Sequence, residues 1–168
     1  RRPGVRPAPQ ARRREEGQGE VRYYLDCEFD GFGGPLMSLA LVREDGQGVN
    51  YVFPMAVADP WVAANVVPYL YSAPVGGKAW ERRAAAMDLA WFLKDDEDPV
   101  IISDWPADVR YFCELVEFPM GEMAPIASLK FQIVRVDAYP TTLPGAIQHN
   151  AWWDAMALRH LLQPPALP

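Results

Sequence analysis

Cysteine is scarce in this chain: Cys27 and Cys113 are the only two among 168 residues. One falls on an expected strand and the other on an expected helix. With no metal-ligand spacing between them, they argue against a disulfide scaffold or a zinc finger, and both are expected to be buried free thiols. Long apolar runs are also missing. None approaches the ~20 residues of a membrane span, and the N-terminal stretch lacks the apolar segment of a secretory signal. The expectation is a cytoplasmic protein with no membrane partner. Basic residues are sparse outside the N-terminus. Removing the six arginines and three glutamates of residues 1–20 leaves 10 basic against 19 acidic residues, a net charge of −9. A body this acidic does not wrap duplex DNA by broad phosphate contact, so a nucleic-acid substrate would be held locally.

What is present fits one domain. Half of the residues are hydrophobic, enough for a sizeable core. Residues 1–20, with arginines set among Pro, Gly and Gln and no apolar periodicity, read as a disordered basic arm; residues 21–168 read as the folded domain.

Tyr23, Leu25, Cys27 and Phe29 alternate with Tyr24, Asp26 and Glu28, the period of a half-buried strand. Asp26 and Glu28 then point the same way, separated by a rise of roughly 6.8 Å. Two acids side by side repel each other when both are ionised, and a hard divalent cation with oxygen ligands relieves that repulsion. Leu36 to Val42 and Val49 to Pro54 read as two further strands of a meander. A short helix and a loop follow over Asp59 to Tyr71. A better helix is expected over Ala79 to Lys94, with Trp80, Ala84, Met87 and Trp91 at helical spacing. Pro99 to Ser103 suits a strand buried on both faces, and a helix from about Ala107 carries Val109, Phe112, Cys113 and Val116 on its inward face. Lys130 to Val136 reads as the fifth strand. The last helix spans about Ala151 to Leu162, with Asn150 as its cap and Pro164 and Pro165 as its stop. The expected fold class is α/β, a three-layer domain with a five-stranded mixed sheet flanked by helices.

Asp154 shares a helical stripe with Leu158 and Leu161, so a charge lies on the inward face, and His149 stands five residues before it. Asp108 begins the helix that follows a buried strand. Ligands in open α/β sheets gather where strand ends meet helix starts, which would bring Asp108 and Asp154 to Asp26 and Glu28.

Asp26-Cys27-Glu28, Asp108 within Ala107 to Phe112, and His149-Asn150-Ala151 followed by Asp154-Ala155 resemble the three motifs of the DEDDh (DnaQ-like, RNase T-like) 3′-to-5′ exonucleases. The resemblance spans residues 22 to 162, and the Asp-x-Glu-Phe opening is most similar to the small stand-alone exoribonucleases. The middle motif departs from the family pattern, because Ala107 stands where an aromatic is usual. Asp108 is favoured as the third acid, with Asp104 at the strand end as its rival. The resemblance implies a ribonuclease-H-like fold and two divalent ions, Mg²⁺ or Mn²⁺, held by Asp26, Glu28, Asp108 and Asp154. It also implies His149 as general base, swinging in from its loop, and hydrolysis of single-stranded ends to nucleoside 5′-monophosphates. RNA is favoured over DNA as substrate, and a homodimer is expected; the competing readings are a single-stranded DNA exonuclease and a binding module without activity. Phe29 would stack on a terminal base, although its alternation with Leu25 fits a core position equally well; Phe32 and Trp105 are further candidates. Asp30, Asp137 and Asp95 to Asp98 read as acids of turns and solvated loops, and His160 as a cation at a helix C-terminus.

Overall fold

The computed structural model describes residues 20–137 and 143–163. Its centre is a five-stranded mixed sheet in the order β3-β2-β1-β4-β7, with β1 at Arg22–Phe29, β2 at Leu36–Arg43, β3 at Gly48–Val52, β4 at Val100–Ser103 and β7 at Lys130–Ile133. β1, β2 and β3 pair antiparallel, while β4 runs parallel to β1 and β7 parallel to β4. Between β3 and β4 lie α1 (Pro60–Asn65) and α2 (Arg82–Leu93), and α3 (Pro106–Val116) follows β4. A two-residue pair, β5 (Glu117–Phe118) with β6 (Glu122–Met123), precedes β7, and α4 (Ala151–Leu162) follows it.

Alternation along β1 divides the molecule into layers. Tyr23, Leu25 and Cys27 join one core with Leu39, Leu41 and Tyr51 of the neighbouring strands, Ala85, Ala86 and Leu89 of α2, and Phe112 and Leu115 of α3. Tyr24 faces the other way, packing with Ile102 of β4 and Leu158 of α4, while Ala40 and Val42 of β2 meet Ala151, Trp152 and Ala155. Asp26 and Glu28 belong to this second series, opposite Ala40 and Ser38. The face that receives α4 therefore also carries the two acids.

The β1–β2 turn depends on glycine. A Cβ on Gly34 would meet the carbonyl oxygen of Asp30 at 1.8 Å, so no other residue fits there.

Several sequence expectations are corrected. α2 begins at Arg82 rather than Ala79 and turns Met87 and Trp91 outward, at 45% and 69% exposure. Its buried face is Ala85, Ala86, Leu89, Ala90 and Leu93. Small residues let this helix approach the sheet closely, and the bulky pair is left outside. Cys27 is buried as expected, but Cys113 is exposed, since α3 buries Asp108, Tyr111, Phe112, Leu115 and Val116 instead. Leu161 is also exposed, and β7 ends at Ile133 rather than Val136. Of the basic arm only Glu20 is among the described residues, where it pairs with Lys130 at 2.8 Å; residues 1–19, Pro164 and Pro165 lie outside them. Among the described residues, no helix is long and apolar enough to cross a membrane.

Candidate metal centre

Parallel pairing of β1 with β4 places Tyr24 opposite Ile102. The same register points the end of β1 at the residues just past β4, where a carboxylate oxygen of Asp104 lies within 4.8 Å of one from Asp26. One turn into α3, Asp108 returns to the same sheet end, buried to 2% exposure with Ser103 Oγ 2.7 Å from its Oδ2. Proline at the start of α3 suits this sharp entry, since the missing N–H is one the helix leaves unpaired anyway.

Asp154 arrives from the opposite layer. Asn150, 1% exposed, caps α4 by accepting from Trp153 N at 3.4 Å, and its Nδ2 donates to the Tyr69 carbonyl at 2.7 Å. Its backbone N–H donates to Asp154 Oδ2 at 3.2 Å. Asn150 thus fixes the start of α4 through its side chain and the orientation of the helix's acid through its backbone N–H.

These elements bring five carboxylates together. One oxygen from each of Asp26, Glu28 and Asp154 lies within 4.8 Å of the others, and so does one from each of Asp26, Asp104 and Asp108. The two groups share Asp26. Sequence reasoning weighed Asp104 against Asp108 as alternatives; the structure brings both to Asp26.

Crowding and burial change the protonation of these acids. Asp26 and Glu28 are pushed well above the ordinary carboxylate range, first by desolvation and then by the neighbouring charges of Asp108 and Asp154. Asp108 and Asp154 rise from 3.8 to about 7, again chiefly through burial, although hydrogen bonds from Ser103 and from the Asn150 backbone oppose the rise. Burial also raises Asp104, with Arg135 opposing. The closeness of Asp154 raises Glu28 further. A cluster that retains protons near neutrality for want of countercharge has the donor set of a hard divalent ion: several carboxylate oxygens and no sulfur.

His149 is exposed and adopts φ 57, with its ring edge-on to Trp61 of α1 at a centroid distance of 5.1 Å. Its backbone amide contributes to holding Asp154. Phe29 is half-buried and stacks on Tyr111 at 5.0 Å, packing on the core as its alternation with Leu25 suggested, and it also lines a groove. That groove, about 360 Å³, opens beside Glu28 between Phe29 and Phe32 on one wall and Trp61, Val62 and Val66 on the other. Trp105 does not line it and sits instead under Arg135. Trp152 packs in the core while Trp153 is half-buried. Asp30 is a turn acid as expected, accepting from the backbone of Ala58 and Asp59 and so tying the end of β1 to α1. Trp61 and Asp59 escaped the sequence reading because only tertiary contact brings them to the groove.

No protein-family model matches this chain, and no curated protein matches it.

Proposed function

We propose that the chain is a metal-dependent 3′-to-5′ exoribonuclease of the DEDDh kind on a ribonuclease-H-like fold. It would trim single-stranded RNA ends to nucleoside 5′-monophosphates, as a homodimer in the cytoplasm. The observation that carries this reading is the pair of carboxylate groups sharing Asp26, a layout suited to two ions with one common ligand. The motif resemblance supplies the reaction, and the five-stranded mixed sheet is compatible with the proposed fold.

Asp26, Glu28 and Asp154 would hold one Mg²⁺ or Mn²⁺, and Asp26 with Asp108 and Asp104 the other. Such ions, when bound, supply Lewis-acid stabilisation of charge at the scissile phosphate. The chain's own groups do the rest. Asp154 stays aimed by the Asn150 backbone N–H. His149 leaves Trp61 and takes the proton of the attacking water, a role suited to imidazole near neutral pH. The aromatic walls of the groove hold the terminal base, whose π face stacks without strong sequence preference.

The test is incubation of 5′-labelled RNA and DNA oligonucleotides with Mg²⁺ or Mn²⁺, using Asp26→Asn as the control. A ladder shortening from the 3′ end of RNA, absent in the variant, is expected. Shortening of DNA alone would move the substrate to DNA, and no shortening with either metal refutes the enzyme.

A further inference from the structure

The groove beside Glu28 contains a carboxylate that the proposed reaction does not use. Asp59 caps α1: its Oδ1 accepts from Trp61 N at 2.8 Å and Val62 N at 3.2 Å, while its own N–H donates to Asp30 Oδ1 at 2.9 Å. These contacts hold the side chain in one orientation. Its other oxygen, Oδ2, takes no hydrogen bond among the described residues and lies against Gly31. A Cβ built on Gly31 would stand 3.2 Å from that oxygen, so a side chain there would crowd it; Gly31, at φ +70, leaves it open. Asp59 and Gly31 both line the groove, together with Phe29, Phe32 and Trp61. Apart from Glu28, which belongs to the acid cluster, Asp59 is the only carboxylate among the described residues of the groove wall.

A fixed, acceptor-only oxygen in an aromatic slot selects its ligand by hydrogen-bond polarity. We infer that Asp59 is a specificity-determining residue that accepts a hydrogen bond from the exocyclic amine of the 3′-terminal base, so that amine-bearing bases are taken over uracil. This rests on the nucleotide reading above: the groove opens at Glu28, so a phosphate held at the acids directs its own base toward Asp59. Cytosine and uracil give the cleanest comparison, since they are alike in size and differ along one edge: cytosine sets its amine beside the N3 acceptor, uracil a carbonyl oxygen beside an N3–H donor. Where the group on C4 meets Asp59, uracil sets an oxygen against the carboxylate, whereas contact through N3–H would let uracil bind as well as cytosine. Leaving a buried polar pair mismatched is the kind of contrast by which sites discriminate most strongly.

Asp59→Asn is the informative variant, because asparagine caps a helix about as well as aspartate and the fold is kept. With Oδ1 still on the backbone amides, the amide nitrogen replaces Oδ2 and turns an acceptor into a donor. Calorimetric titration of CMP, UMP and 2′-deoxy-CMP into the full chain with Mn²⁺, preceded by titration of Mn²⁺ alone, reads this directly. The wild type is expected to bind CMP at least about tenfold more tightly than UMP, from one charge-assisted hydrogen bond. Asp59→Asn is expected to bring that ratio to one or below. Equal binding of CMP and UMP by the wild type overturns the inference, as does an unchanged ratio in the variant. So does a loss on 2′-deoxy-CMP that Asp59→Asn abolishes while the base ratio stays at one, since the partner is then the sugar hydroxyl. Failure of Mn²⁺ to bind would instead remove the proposed metal centre, and the base ratio, measured in the same cell, would still decide the role of Asp59.

Discussion

Replacing Asp108 with asparagine keeps the shape of the side chain and removes one charge from a crowded, desolvated cluster. Folded Asp108 holds its proton to about pH 7, against 3.8 in its ordinary state. Between those values the folded chain binds more protons than the unfolded one, so unfolding free energy falls as pH rises. The penalty is absent below about pH 4, grows through the window and is complete above about pH 7. At roughly 1.4 kcal/mol per pH unit it amounts to about 4 kcal/mol, a large share of the 5–15 kcal/mol that holds a typical domain together. The carboxamide oxygen still accepts from Ser103, so the variant sheds the penalty without orphaning that hydroxyl. Thermal unfolding in EDTA at pH 5 and pH 8 is the assay. Wild-type Tm should fall from pH 5 to pH 8. The asparagine variant should exceed wild type at pH 8 by up to about 12 °C, at about 3 °C per kcal/mol for this chain length, and by less than half of that at pH 5. Mn²⁺ at a hundred times its Kd should restore about 2.7 kcal/mol to wild type at pH 8 and much less to the variant. A wild-type Tm that rises with pH in EDTA, or an asparagine variant less stable than wild type at pH 8, would refute the reasoning.

Asp104→Asn and Asp108→Asn should each weaken Mn²⁺ binding by calorimetry, since both acids reach Asp26; unchanged affinity in the Asp104 variant would leave Asp108 as the sole third acid. Asn150→Ala removes the cap of α4, worth about 0.5–2 kcal/mol, and leaves the Tyr69 carbonyl without its donor at about 1–3 kcal/mol more. Urea unfolding should therefore show a loss of about 1.5–5 kcal/mol, while Mn²⁺ affinity should change little in the folded variant, because the backbone N–H of residue 150 that orients Asp154 survives the substitution. In native protein a thiol reagent should label one cysteine, Cys113, and label it faster as pH rises, since burial and then Glu117 and Glu114 raise that thiol. Two labels in the folded state would contradict the burial of Cys27.

The parts that were legible in the sequence are those in which local pattern and tertiary role agree. β1 alternates because one face meets α2 and α3 and the other meets α4, and that alternation alone aligned Asp26 with Glu28. Asn150 was readable as a cap because capping is a local interaction, and Asp154 as an inward acid because helical spacing fixes its stripe. α2 was misread where size was taken as a sign of burial. A helix packed closely on a sheet selects alanine at the contact, as at Ala85, Ala86 and Ala90, and the bulky Met87 and Trp91 were then mistaken for the buried stripe. Asp104 shows a different limit. Nothing within its own segment links it to Asp26, 78 positions earlier in the chain. The link is the parallel register of β1 and β4, a long-range pairing that no local periodicity encodes. Once Tyr24 stands opposite Ile102, the meeting of Asp26 and Asp104 follows from strand geometry, and choosing between Asp104 and Asp108 becomes a question about metal stoichiometry rather than about motif spelling.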